Sequence, residues 1–270
     1  MQKLTSRFIC DKMSKNVEGG SVMSKFLDLL FPPKCVCCRE ILPDEPIRNS
    51  GEDVLCPDCR VKFEAEKYRR CSKCGKPHFE CECMPPALFE SECSTLIHVC
   101  AYDGVLLNPV TRIIFTLKKK ANRACERFAA EQVSARLREY LGAYSDCDFC
   151  VTYIPRRKRE IIKFGHDHSE LLARRIAELC ELEFFKFIKN NGRGKEQKSL
   201  GIKGRIKNAR HMLSPSKEIG KAEGKNVILI DDIATSGASL AAGTSVLIDS
   251  GAASVTCLCF AVTDKKKRRN

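Results

Sequence analysis

Two groups of residues in this sequence have the types and spacing that chemistry needs. The first lies in NVILIDDIATSGASL, residues 226–240. An apolar run ends in two acids, Asp231 and Asp232. A loop of small residues follows, Thr235, Ser236, Gly237, Ala238 and Ser239, and then a helical pattern begins. Carboxylates at the C-terminal end of a strand stand where α/β sheets bind ligands. There they accept hydrogen bonds from vicinal hydroxyls, as on a ribose. The loop offers backbone N–H groups and hydroxyls, and the start of a helix adds positive potential, so a phosphate fits beside them. Two acids alone fit a strand, a turn and a capped helix equally well. Acids followed at this offset by Thr-Ser-Gly favour the ligand site.

The second group is cysteine. Eight of the 18 cysteines form close pairs between residues 35 and 83: Cys35/Cys38, Cys56/Cys59, Cys71/Cys74 and Cys81/Cys83. The first three are C-x-x-C. That spacing lets two thiolates on one turn face the same tetrahedral ion, and two such turns make a four-cysteine zinc site. Gly75 gives the turn after Cys74 a permissive backbone, and Pro57 stiffens another turn. Cys81/Cys83 is C-x-C, a less usual zinc spacing. Cys37 beside Cys38, and His78 near Cys74, are alternative ligands, although a surface position is the ordinary expectation for His78. The spacing predicts one all-cysteine zinc site and a second beside it. Both would be structural, because four thiolates leave no open position for substrate. The other ten cysteines, Cys93, Cys125, Cys180 and Cys257 among them, are expected to pack as small apolar residues.

These groups need elements to position them. Residues 1–22 carry charges without a helical stripe and read as a flexible extension, and Met23 is an alternative start. Phe26, Leu27, Leu29 and Leu30 form a short amphipathic turn that opens the cysteine-rich module, residues 23–90. Pro85 and Pro86 mark the end of the module. Residues 91–263 form the main domain and 264–270 a basic tail. Val110, Ile113, Ile114 and Leu117 recur at helical spacing, and residues 124–141 carry a second helix. Phe149 to Ile154 reads as a buried strand stopped by Pro155. Ser169 to Leu182 reads as a helix capped by Ser169. Residues 226–230 and 255–262 read as strands, with a helix over 239–250 between them. Strands alternating with helices predict an α/β fold with a parallel sheet.

Composition sets the limits. A 270-residue chain can bury a core without disulfides. Hydrophobic residues at 43% and charged residues at 30% exclude a disordered or collagen-like chain. No stretch has the length of a signal peptide's apolar core or of a membrane span. The expected location is therefore the cytoplasm, where thiols stay reduced. A net charge of +13 points to an anionic partner.

Asp-Asp with Thr-Ser-Gly resembles the phosphoribosyl-pyrophosphate (PRPP) signature of type I phosphoribosyltransferases. It does not resemble a Walker loop, because GKAEGKN at 220–226 lacks the spacing and the Ser/Thr. FPPKCVCC, LCPDC and CSKCGKP resemble the zinc-ribbon start of the ComF family of competence-associated, phosphoribosyltransferase-like proteins. IPRRKREIIKFGHDHSELLA resembles that family's basic segment and its following R-G-Y-D-H-type motif, through Gly165, Asp167 and His168. Phe164 departs from the expected Arg there and His166 from the expected aromatic; Lys163 is the nearest replacement charge. Gln197, Leu200, Arg205 and Asn208 match the family's Q-x2-L-x4-R-x2-N pattern. The resemblance spans residues 23–263.

The resemblance implies a type I phosphoribosyltransferase-like core behind a zinc-ribbon module. Asp231 and Asp232 would bind the ribose hydroxyls, and Thr235 to Ser239 the 5′-phosphate. Arg156, Arg157 and Lys158 would lie where pyrophosphate binds, and magnesium would accompany PRPP. Residues 195–210 would form a mobile loop over the site. Between Lys186 and Arg210 nine basic residues stand against Glu196 alone, which suits single-stranded DNA. Lys118 to Lys120 belong to the same face or to a solvated helix end. Two functions follow. One is phosphoribosyl transfer to an acceptor the sequence does not identify. The other is a PRPP- or DNA-binding adaptor for a helicase-like protein in DNA uptake or processing.

Overall fold

A computed structural model describes residues 32–42, 54–119, 121–144, 147–192 and 212–264. The N-terminal extension, the amphipathic stretch before Pro32, the expected mobile loop and the basic run from Lys265 lie outside the described residues.

Five parallel strands form the sheet: β1 (Thr95–Tyr102), β2 (Phe149–Tyr153), β3 (Glu183–Phe184), β6 (Asn226–Ala234) and β7 (Ser254–Thr263), in the order β1-β7-β6-β2-β3. β4 (Ile188–Asn190) and β5 (Leu213–Pro215) make a separate antiparallel pair. The central strands β6 and β7 are covered on both faces, which is why they read as continuous apolar runs rather than alternating ones. On one face Ile228, Ile230, Leu258 and Phe260 pack with residues of α3 (Pro109–Lys119), α4 (Arg123–Gly142) and α6 (His168–Leu179). On the other face Val227, Leu229, Cys257 and Cys259 pack with α7 (Ala238–Ile248). The predicted α/β class with a parallel sheet is the fold observed.

Three local readings change. β1 had no predicted counterpart. It is buried along its length with His98 inside it, and that buried imidazole breaks the apolar pattern a strand would show. β6 continues past Ile230 through both acids to Ala234, so the acids belong to the strand itself. Asp167, not Ser169, caps α6: its carboxylate accepts from the N–H groups of Ser169 and Glu170. Asp167 sits one residue ahead of the helix, where a cap must be, while Ser169 lies already inside it.

The cysteine-rich module does not keep a core of its own. Its helix α1 (Pro57–Lys67) starts with Cys56 at the cap and proline in the first turn. Cys59 and Phe63 share one face four residues apart and are both buried. The Phe63 ring lies 5.1 Å from Phe128, edge-on, and 6.0 Å from Phe260, stacked. Burying that ring contributes about 1.5–3 kcal/mol, so the module is anchored on the sheet domain. His78 lies in the short 3-10 turn His78–Glu80 and is buried, contrary to the surface position expected. Its Nδ1 is 3.3 Å from His98 Nε2, and its Nε2 is 2.8 Å from Asp264 just past β7. Asp264 also accepts from Ser72 Oγ at 2.6 Å. Asp264 therefore ties the module to the sheet rather than opening a solvated tail.

Candidate functional site

A cleft of about 440 Å3 opens at the C-terminal ends of β2 and β6. Asp231 and Asp232 reach it from β6, and Thr235 and Ser239 from the loop and helix beyond. Arg156 and Arg157 reach it from the turn after β2, Lys118 from the end of α3 and His168 from the start of α6. Most of the residues predicted for the ligand site are thus brought together. Ser236, Gly237 and Ala238 belong to the same loop and helix start without lining the cleft, and Ala238 is buried. Lys158 lines the neighbouring cavity.

Asp232 is buried and accepts from His168 Nε2 at 2.8 Å and from Lys118 Nζ at 3.0 Å. Burial alone would raise its pKa. The Lys118 charge and the His168 hydrogen bond overcome that and hold the carboxyl well below its usual range. Asp231 behaves oppositely. Burial and the neighbouring Asp232 charge push it up to about 8. Two carboxylates this close do not both ionise readily, and Asp231 is the member of the pair pushed toward the protonated form. The Asp231 Oδ1 accepts from the Asp232 N–H at 2.8 Å. The cleft thus offers a fixed acceptor next to a group that can give up or keep a proton.

Local chemistry also explains the cationic wall. The Arg156 N–H donates to Asp167 at 2.9 Å, and its guanidinium donates to the Lys118 carbonyl at 3.0 Å. That guanidinium also lies over the Phe164 ring, 5.2 Å from its centroid. Phe164 therefore steadies the cation that faces the cleft. Lys163 is not among the cleft residues and does not supply the missing charge. Gly165 ends the short helix α5 (Lys158–Phe164) at φ 78°, a conformation that favours glycine. His166 fixes the same corner, with its ring nitrogens 2.8 Å from the Phe164 carbonyl and 2.9 Å from that of Leu117.

The phosphate-type loop leans on the cysteine module. The Ala87 N–H in α2 (Pro86–Phe89) donates to the Ser236 carbonyl at 3.2 Å. Gly237 has φ 77°, and a Cβ there would meet Leu88 Cβ at 2.9 Å and the Leu88 nitrogen at 3.1 Å. Gly237→Ala therefore suffers twice, from backbone strain and from a clash with packed backbone. Each effect is worth about 1–3 kcal/mol. The expected outcome is a thermal midpoint lowered by roughly 4–24 °C together with loss of anion binding in the loop. A variant with wild-type melting and binding would refute this account of the loop.

Two four-sulfur clusters complete the site's surroundings: Cys35, Cys38, Cys56 and Cys59, and Cys71, Cys74, Cys81 and Cys83. In each, the four Sγ atoms lie within 4.8 Å of one another. Cys38 approaches Cys56 to 3.5 Å, and Cys74 approaches Cys81 to the same distance. A tetrahedral ion with zinc–sulfur distances near 2.3 Å sets its sulfurs about 3.8 Å apart, so both sets fit zinc. All eight predicted ligands fall in the two clusters. Cys37 is not needed, because its thiol points to the Leu107 carbonyl at 3.4 Å. His78 is not needed either, although its ring stands near Cys71 and Cys81.

Comparison with known families agrees with both halves. Residues 26–96 match the model of the double zinc ribbon domain, and residues 168–270 that of the phosphoribosyl transferase domain. The chain thus joins a double zinc ribbon to a phosphoribosyl transferase domain. The second match contains the acids, the small-residue loop and His168, while Lys118, Arg156 and Arg157 lie before it. No curated protein matches the chain significantly. Among solved structures, the allosteric regulatory enzyme of purine biosynthesis is similar at 22% identity over 48% of this chain, with a TM-score of 0.31. The chain covers about a quarter of that protein, 25% of its length.

Proposed function

We propose that this chain is a ComF-like protein of the phosphoribosyltransferase type that binds PRPP with magnesium and transfers the phosphoribosyl group to an acceptor. The observation that carries this reading is the convergence, in one cleft, of a diol-accepting acid pair, a small-residue loop and a cationic wall. Asp232, held by His168 and Lys118, accepts from one ribose hydroxyl, and Asp231 from the other. Thr235 and Ser239 take the 5′-phosphate. Arg156 and Arg157 face the pyrophosphate. The hard oxygens of Asp231 and Asp232 suit magnesium, which when bound neutralises clustered phosphate charge.

The step needs no protein nucleophile. The acceptor's lone pair forms a bond to C1 of the ribose, and the C1–O bond to pyrophosphate breaks. Pyrophosphate leaves with the electron pair, and the acceptor's proton passes to it. The protein contributes position and charge stabilisation. Calorimetric titration with PRPP and magnesium tests the reading, and no detectable binding would end it. Binding without pyrophosphate release, whatever the acceptor offered, would favour the adaptor role in DNA uptake.

Affinity should also depend on pH. Burial and the Asp232 charge bias Asp231 toward its protonated form, with its pKa pushed up to about 8, and the ionised carboxylate is the stronger acceptor for a ribose hydroxyl. PRPP affinity is expected to rise with pH below that value, by at most about tenfold per unit, and then level off. Titrations in buffers of different ionisation enthalpy should show proton release at pH 7. A flat profile from pH 6 to 8 would mean that Asp231 keeps its proton in the complex.

A further inference from the structure

The second cysteine cluster has two neighbours that its four thiolates do not use. His78 and His98 meet beside it, one from the short turn His78–Glu80 and the other from within β1, and both are buried. One ring nitrogen of each and the Cys81 Sγ lie within 4.8 Å of one another. Cys71 Sγ lies within that same distance of Cys81 Sγ and of a His78 ring nitrogen. Cys71 and Cys81 are buried like the histidines, whereas Cys74 is exposed and Cys83 half-buried. Two donor sets therefore share Cys71 and Cys81. Cys74 and Cys83 complete an outer set, and the two imidazoles complete an inner one.

The inner set has the chemistry of a zinc site. Structural zinc is held by two cysteines and two histidines as well as by four cysteines. With zinc–nitrogen distances of about 2.0–2.1 Å, a tetrahedral ion sets two nitrogens about 3.3–3.4 Å apart. His78 Nδ1 and His98 Nε2 are 3.3 Å apart. Asp264 orients the first ring. Its carboxylate accepts from His78 Nε2 at 2.8 Å, which puts the proton on Nε2 and leaves the Nδ1 lone pair facing His98. A carboxylate behind a histidine is the usual outer support of a zinc ligand. His98 Nδ1 has no hydrogen-bond partner among the described residues. No bond at that nitrogen is broken when the His98 proton moves there and frees the Nε2 lone pair for a metal. The shared sulfurs are held as well. The Lys73 N–H donates to Cys71 Sγ at 3.4 Å, and the Cys83 N–H donates to Cys81 Sγ at 3.3 Å.

We infer that the second zinc has two positions: the outer four-thiolate set, and an inner set of Cys71, Cys81, His78 and His98 that keeps the ion when Cys74 and Cys83 are oxidised. Hydrogen peroxide is the oxidant. The two outer thiolates give up two electrons and join in an S–S bond, and the O–O bond of the peroxide breaks to give two hydroxide ions. Zinc stays divalent and exchanges two sulfurs for two neutral imidazole nitrogens. The module thus keeps its metal under an oxidation that would strip a ribbon relying on four cysteines alone.

Zinc analysis and zinc-edge X-ray absorption of the full chain test this. Cys74→Ser combined with Cys83→Ser is expected to keep two zinc ions per chain. Averaged over both ions, the coordination should change from four sulfurs to three sulfurs and one nitrogen. Adding His78→Gln, whose amide can still donate to Asp264, should leave one ion, while His78→Gln alone should keep two. One ion in the double variant, or two in the triple variant, would overturn the inference. So would an ion lost from His78→Gln alone, which would make the histidine a support of the outer set and not a reserve ligand. Peroxide treatment of the unaltered chain gives a reading that no substitution can disturb. With the Cys74–Cys83 disulfide located by mass spectrometry, the zinc signal should gain nitrogen while both ions stay. Loss of an ion from chains oxidised only at Cys74 and Cys83 would equally overturn it.

Discussion

Replacing Cys59 by serine should reduce the zinc content of the purified chain from two ions to one and unfold the region around α1. The size of the effect follows from what the cluster holds. Structural zinc contributes about 10–16 kcal/mol of apparent binding energy in small sites, comparable with or larger than the whole stability of a typical domain, about 5–15 kcal/mol. Cys56 and Cys59 stand at the cap and first turn of α1, where the helix dipole favours thiolates. One turn further, Phe63 sits between Phe128 and Phe260 in the main core. Losing the ion therefore frees a helix whose apolar face completes the sheet domain's packing. Chelator treatment should give the same result more slowly. Cys37→Ser, next to a ligand but with its thiol turned to the Leu107 carbonyl, should keep both ions. Two zinc ions in Cys59→Ser, or a lost ion with unchanged melting, would show that the cluster is not the support its position implies.

The same module reaches the cleft. From Cys83 the chain runs through Pro85 into α2, whose Ala87 and Leu88 brace Ser236 and Gly237. Damage at the second cluster should therefore propagate to the phosphate-type loop. A zinc ribbon joined by a loose tether would transmit nothing of the kind.

What could be read in advance, and what could not, divides along sequence distance. The acid pair and its loop announce themselves because a strand, two acids and a helix start follow one another directly in the chain. The cysteine ligands do the same, since each turn supplies two neighbours. Lys118 carried no such signal. A run of lysines ending a helix looks the same whether it meets water or a carboxylate from another element, and only the packing of α3 against β1 and α4 aims Lys118 at Asp232. His168 was visible as part of a motif, but its hydrogen bond to Asp232 depends on α6 lying against the sheet. His78, His98 and Asp264 were hardest to foresee. Three polar residues far apart in the chain pair with one another inside the fold, and each alone resembles a surface residue. Phe63 shows the same limit for packing: nothing local tells a module's own core from one borrowed from the next domain.

Substituting the two acids separately should give opposite effects on stability and the same loss of binding. Asp232→Asn removes the charge that faces Lys118 and His168. Buried His168 and half-buried Lys118 then lose their charged partner, so the melting temperature should fall, and PRPP affinity should drop by about 10- to 150-fold, as expected for a hydrogen bond to a charged group worth roughly 1.5–3 kcal/mol. Asp231→Asn acts on a group whose pKa is raised in the folded protein, to about 8. The unfolded chain releases that proton near pH 4, so wild-type stability from this group is lost as pH rises from about 4 to 8. An amide cannot ionise, and the variant should escape that decline. It should melt at the wild-type temperature or higher at pH 7 and clearly higher at pH 9. Its PRPP affinity should nevertheless fall steeply, because the amide lacks the anionic acceptor the ribose needs. A residue kept for folding alone would lose stability when replaced. One that weakens the fold and yet is needed for binding is strained toward a ligand. Melting curves of Asp231→Asn across pH 5 to 9, set beside its PRPP titration, decide between the two. Lower stability at every pH, or undiminished binding, would remove Asp231 from the site.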